Sequence, residues 1–193
     1  MTVARMTALR PADSQQVFRA VLEALARPGT PTALPGEALS ELAPAVAAIM
    51  ALADSTTGVC VLDNAGGRWT DAIAMATGAP VWPAEMARLV AAVRPVTADE
   101  IRGLHRGSDH APQDAALAAL GVRDVYGGPR RWTLSGPGVG DTTTVAPQGL
   151  PADFVAARAE AVAAYPAGID VLLVADDGRL VGLPRTTTII EEN

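Results

Sequence analysis

The sequence predicts a mixed α/β fold: a single domain, layered helix on sheet on helix, that ends in an antiparallel hairpin. Three observations predict it. Ile169 to Ala175 is an apolar run rich in β-branched residues, the pattern of a buried strand. Asp176-Asp177-Gly178 then supplies a tight turn, and Leu180 to Leu183 returns as a second strand until Pro184, which has no ladder donor. Upstream, short β-branched stretches alternate with segments of helical period, in a chain of 193 residues that is 49% hydrophobic. That length suits one domain with a real core, and that hydrophobicity argues against disorder.

The elements follow in order. Asp13 is placed to cap a helix over 14–26, with Gln16 at the capping-box position and Val17, Phe18, Val21, Leu22 and Leu25 as its apolar face. Pro28-Gly29 ends it, and the Pro/Gly-rich stretch to Gly36 reads as a surface connection. Leu42 to Ala53 is apolar nearly all round and reads as a buried helix, with Pro44 tolerated in its first turn. Gly58 to Leu62 is a short strand, closed by the turn Asp63-Asn64-Ala65-Gly66-Gly67. Thr70 or Asp71 opens a helix to Thr77 that Gly78 terminates.

Glu85 to Val93 has the Ala, Met and Leu content of a helix, yet Arg88 to Val93 also alternates. Ala115 to Leu120 carries the same ambiguity. Thr97-Ala98-Asp99-Glu100 is a capping box for a helix to about Arg106. Gly127-Gly128 is a turn and Arg131 to Ser135 another strand. Asp153 caps a helix to Ala164 that uses Phe154, Val155, Arg158 and Val162, and Pro166 stops it.

Composition excludes several classes of function. Net charge is −6, with no basic run, which disfavours DNA or RNA as a partner. The longest apolar stretch falls short of the roughly 18 residues a membrane span needs, and no targeting segment is visible. A cytoplasmic location is the default expectation. Cys60 is the only cysteine, so no internal disulfide can form; within Val59-Cys60-Val61-Leu62 it reads as a buried strand residue. All 15 basic residues are Arg. Without Lys there is no side-chain Schiff base for pyridoxal phosphate and no Walker-type phosphate loop. One Cys cannot ligate an iron–sulfur cluster. No cofactor and no metal are expected.

Three motifs invite chemistry. Gly136-Pro137-Gly138-Val139-Gly140 suggests a phosphate cradle, but it misses dinucleotide spacing and Pro137 removes a donor, so a structural turn is the better reading. That loop leads on towards Gln148. His105 and His110 are five apart, a spacing that does not put two ligands on one helix face, and Gly107 and Pro112 mark a loop. Arg185, with Thr186 and Thr187, is the best functional candidate. A guanidinium offers parallel donors to a phosphonate or phosphate, at a sheet end where α/β proteins often bind ligands. Equally open is the alternative that Arg185 pairs with an internal carboxylate, Asp170 on the neighbouring strand.

Five segments in register carry a family resemblance. They are Phe18-Arg19-Ala20-Val21-Leu22 with Arg27-Pro28-Gly29; Leu52-Ala53-Asp54-Ser55-Thr56-Thr57; Leu134-Ser135-Gly136-Pro137-Gly138-Val139; Ala146-Pro147-Gln148; and the block from Tyr165 to Thr187. Together they resemble PhnH, a subunit family of the bacterial carbon–phosphorus lyase system for phosphonate use. The resemblance spans about Val17 to Thr187. Thr56 stands where the family carries a second acid, and Pro112-Gln113 where it carries Pro-Glu.

The resemblance implies strands at both ambiguous segments, and a fold like the large domain of pyridoxal-phosphate-dependent transferases without their cofactor site. It implies a component of the assembly that forms ribose 1-methylphosphonate 5-triphosphate from ATP and methylphosphonate. The chain is then expected to be a homodimeric, largely non-catalytic subunit, with PhnG, PhnI, PhnJ and PhnL as partners. Arg185, Thr186, Thr187, Asp54, Thr57, Arg27 and Gln148 are the candidate ligand or partner contacts, and no residue is assigned a catalytic role. The competing class is an autonomous small-anion-binding protein or enzyme.

Overall fold

Six strands form the central sheet in the computed structural model, which describes residues 8–64 and 66–192. In chain order the elements are α1 (Pro11–Ala26), β1 (Thr32–Ala33), α2 (Pro44–Met50), β2 (Val59–Leu62), α3 (Arg68–Thr77), β3 (Leu89–Ala92) and α4 (Ala98–Gly103). Then come β4 (Leu117–Val122), β5 (Arg131–Ser135), β6 (Thr143–Val145), α5 (Phe154–Ala161), β7 (Asp170–Ala175), β8 (Arg179–Leu183) and β9 (Thr188–Glu192). The large sheet runs β1-β8-β7-β4-β3-β2, with β2, β3, β4 and β7 parallel and β8 antiparallel to β7. A second, antiparallel sheet runs β6-β5-β9.

Register decides which side chains face which layer. Val61, Ala91, Ala119 and Leu172 align across four strands and enter the core shared with α1, α2 and α3. One residue on, Leu62, Ala92, Leu120 and Leu173 face the opposite way; the last three sit in a second core with α4, α5 and the small sheet. Both faces are therefore apolar, as a central parallel sheet requires. The alanines of β3 and β4 keep the sheet thin, and α2 meets it with Ala45, Ala47 and Ala48, all buried. Trp132 of β5 stacks on Phe154 of α5 with centroids 5.2 Å apart, which joins the small sheet to the second core.

Several expectations hold. Pro44 is the first-turn proline of α2, and every residue from Ala45 to Met50 is buried. Thr97 and Glu100 form the capping box of α4, and Gly78 ends α3 with a φ of 74°. The two ambiguous segments are strands, β3 and β4. Cys60 lies in β2, half-buried rather than fully so, and burial is the main cause pushing its thiol pKa up. In the turn after β2, Ala65 lies outside the described residues.

Others need correction. Asp13 does not cap α1: the helix starts two residues before it, and Asp13 instead accepts from Arg10 Nε at 2.6 Å. The buried stripe of α1 is Asp13, Val17, Val21 and Ala24, while Phe18 is 41% and Leu22 49% exposed. The cause lies in the sheet. Gly182 of β8 has no side chain, and a Cβ there would overlap the Ala24 carbonyl, so the helix rests on its small-residue face. Asp153 makes no cap bond and faces Arg102 at 3.6 Å. The chain does not end in the β7–β8 hairpin, because β9 crosses to the small sheet and pairs with β5 over five residues. Nor is the stretch to Gly36 only a connection, since Thr32 and Ala33 extend the large sheet beside β8.

Candidate functional site

Arg185 sits just beyond β8, whose last residue, Leu183, pairs with Val171 near the start of β7. That is the amino edge of the parallel strands; open α/β sheets bind ligands at the carboxyl edge. Its guanidinium is turned inward. Nε donates to Asp170 Oδ2 at 3.2 Å and Nη2 to the same oxygen at 2.6 Å, while the Arg185 amide donates to Oδ1 at 2.7 Å. Nη1 donates to the carbonyls of Pro112 at 3.0 Å and Pro166 at 2.9 Å. Of the five guanidinium hydrogens, four are engaged within the chain. The internal pairing left open by the sequence is therefore present, and it ties the loops before β4 and before β7 to the end of β8.

A second arginine braces the same turn from inside. Arg158 of α5 is 3% exposed and donates to the carbonyls of Thr187 at 3.0 Å, Pro184 at 2.5 Å and Leu183 at 3.4 Å. Burial pushes its pKa down to about 10, opposed by the charge of Asp170. Among the described residues no carboxylate pairs with it. The sequence carried a signal for this residue: Arg158 falls among Phe154, Val155 and Val162 on the apolar face of its helix, where a charge must find backbone acceptors. Thr187 is 2% exposed, its hydroxyl buried and, among the described residues, without a hydrogen-bond partner, whereas Thr186 is exposed.

Three of the sequence motifs meet around this turn through glycines. A Cβ on Gly136 would lie 2.8 Å from the Thr186 carbonyl oxygen, and one on Gly138 would be 2.9 Å from Pro28 Cδ and overlap the Ala26 carbonyl. Both glycines have positive φ, 128° and 80°. The Gly136–Gly138 turn is thus wedged between the end of α1 and residues 186–187. The Gly29 amide also donates to Gly182 O at 3.3 Å.

The other candidates are more dispersed. Arg27 is at this corner, but its side chain is exposed and paired with Glu23 at 2.7 Å. Asp54 and Thr57 lie before β2, on the same edge of the sheet but with β3 and β4 between them and β7. There Asp54 Oδ1 accepts from the Thr56 amide and hydroxyl at 2.8 Å and from the Thr57 hydroxyl at 2.9 Å, and these bonds hold its pKa below the ordinary range. Gln148 is at the opposite, carboxyl edge, bridged to Asp124 through the backbone. His105 Nδ1 donates to the Asp114 carbonyl oxygen, 2.8 Å away, within the loop ahead of β4. Among the described residues no group of three or more His, Cys, Asp or Glu is arranged to hold a metal.

The carboxyl edge carries a cleft that sequence reasoning missed. It has a volume of about 240 Å³ and opens over the ends of β3, β4 and β7, walled by Ala43, Val93, Gly121 and Gly149, with Arg123 and Asp176 among its polar lining. No motif marks it, because its walls are small residues from five separate segments.

Fold and site together define a mixed α/β protein with a carbonyl-braced arginine turn at one edge of its sheet and an open cleft at the other. The chain belongs to the PhnH family of bacterial phosphonate metabolism proteins, whose model matches residues 7–190. It is 30% identical over 190 residues to the alpha-D-ribose 1-methylphosphonate 5-triphosphate synthase subunit PhnH of Rhizobium meliloti (strain 1021), a match covering 93% of this chain and 92% of that relative.

Proposed function

We infer that this chain is the PhnH-type subunit of a ribose 1-methylphosphonate 5-triphosphate synthase acting in phosphonate metabolism. Family membership along nearly the whole chain supports that role. Within it, the chain acts as a docking and shaping component rather than as the centre that performs the transfer. The observation that carries this is the use made of Arg185: its donors are turned onto Asp170, Pro112 and Pro166 instead of out to a ligand. Large apolar side chains meanwhile stand exposed, among them Met75, Val81, Met86, Tyr165 and Ile190, each more than half exposed.

The finer parts of the reading go with it. The partners are the other subunits, PhnG, PhnI, PhnJ and PhnL; the chain alone is a homodimer; it is a single domain working in the cytoplasm. The same reading includes a likeness to the large domain of pyridoxal-phosphate-dependent transferases. No helix of the described residues is long and apolar enough to cross a membrane, in keeping with that location. Arg27, Asp54, Thr57, Gln148 and Thr186 serve as partner contacts, and Thr187 and Arg185 hold the turn that presents Thr186.

The test is co-expression of the tagged chain with the remaining subunits, followed by purification and assay of ATP with methylphosphonate. Co-purification, with turnover only when all subunits are present, supports the reading. Turnover by this chain alone, or a chain that leaves every partner behind, overturns it.

A further inference from the structure

We propose that the cleft at the carboxyl edge of β3, β4 and β7 binds a small molecule with an anionic head and, a few bonds away, an amine or hydroxyl donor. The inference stands on the cleft alone, independent of the family and of the subunit role. Its place is set by strand length. β3 pairs with β4 only as far as Ala92↔Leu120, whereas β4 and β7 continue in register to Val122↔Ala175. The step leaves a hollow over the end of β3. Glycine keeps it open: a Cβ on Gly121 would stand 2.8 Å from the Ala92 carbonyl oxygen, and Gly149 is at a φ of 112° with its own Cβ position 3.3 Å from the Arg123 amide. At about 240 Å³ the hollow is below the ~300–1,000 Å³ of sites that take drug-sized ligands.

The charges around it define the chemistry. Arg94 is spent, since Nη2 and Nη1 reach the two Glu100 oxygens at 2.6 and 3.1 Å. Arg123 and Asp176 are different. They directly follow the last aligned pair of β4 and β7, so opposite charges leave neighbouring strands side by side, yet no ion pair joins them. Among the described residues neither side chain has a hydrogen-bond or ion-pair partner. A guanidinium with its full fork of donors matches an oxyanion head, and the adjacent carboxylate matches an N–H or O–H donor. The rim is close to neutral, and the chain carries −6, so the fit is to a zwitterion or a hydroxy acid and not to a polyanion.

Calorimetric titration of the full chain tests this with four probes: aminoethylphosphonate, β-alanine, ethylphosphonate and ethylamine. One of the two zwitterions should bind saturably and at least tenfold more tightly than ethylphosphonate or ethylamine; which one identifies the head group. Arg123→Ala should weaken that binding at least tenfold without lowering the melting temperature, because the side chain is exposed and holds nothing in place. Asp176→Asn should remove the advantage of the zwitterion and leave ethylphosphonate unchanged. Ala43→Phe, which adds bulk at an uncharged wall of the hollow, should block all probes. No saturable binding by any probe, or binding that survives both Arg123→Ala and Ala43→Phe, overturns the proposal.

Discussion

Arg185 and Asp170 grip each other through backbone and side chain at once: the amide of Arg185 and its Nη2 reach the two oxygens of the same carboxylate, at 2.7 and 2.6 Å. With side chains only 15% and 25% exposed, the pair is shielded enough for its loss to matter. Arg185→Ala would leave the Asp170 carboxylate with only the backbone amide of residue 185, and two carbonyls without their side-chain donor. Breaking a buried pair from one side costs about 3–5 kcal/mol; the residual exposure places this one near ~2–3 kcal/mol. Arg185→Lys should recover little, since an ammonium cannot span Asp170 and two carbonyls in one plane. Denaturant midpoints of both variants check this, alongside assembly with partner subunits. A variant that is as stable as the parent but fails to bind would return Arg185 to a ligand role.

Thr187 separates a structural turn from a binding one. Its hydroxyl is buried and unpartnered, so Thr187→Val removes an unsatisfied polar atom at nearly constant shape. Stability should stay level or rise by up to ~1 kcal/mol. Co-purification with the other subunits should be unchanged. Loss of assembly in a protein that melts normally would show that the hydroxyl is used.

The glycines around the turn give a graded test. Gly182→Ala would force a methyl into the Ala24 carbonyl and push α1 off β8, costing about 1–3 kcal/mol by overpacking. Gly140 has nothing within 4 Å of its Cβ position and no positive φ, so Gly140→Ala should be neutral or slightly stabilising. Urea midpoints that rank the two the other way would contradict the close approach of α1 to the sheet.

The acid limb of stability should run through Glu100. Its hydrogen bonds to Arg94 and to the capping residue Thr97 hold its pKa at about 2, against 4.5 for the free side chain. The folded state therefore binds the proton less tightly than the unfolded one. Its contribution is complete above the unfolded value and disappears as pH falls from there towards about 2. Glu100→Gln should lower stability at neutral pH and flatten its decline between those values. Thermal melts across that range measure the difference, and parallel curves for parent and variant would remove Glu100 from the account.

Most of the secondary structure was written locally. Capping chemistry at Thr97, the proline at the head of α2, Gly78 and the β-branched run of β7 act over a few residues, so the chain itself determined them. So did the exclusions that follow from having one Cys and no Lys, and the family, because its motifs lie in order along the chain. What the tertiary structure decided is where side chains face and what they meet. Alanine is tolerated inside and outside alike, so composition could not show that α1 turns Ala24 to the sheet and Phe18 away from it. Only Gly182, more than 150 residues later, permits that approach. The direction of Arg185 was likewise undecidable from its neighbours, since Pro112 and Pro166 are brought to it by two separate loops and Asp170 by the first residue of β7. The cleft beside Arg123 was invisible for the same reason: it arises where strands of unequal length end side by side, and strand alignment is a property of the folded sheet, not of any one segment.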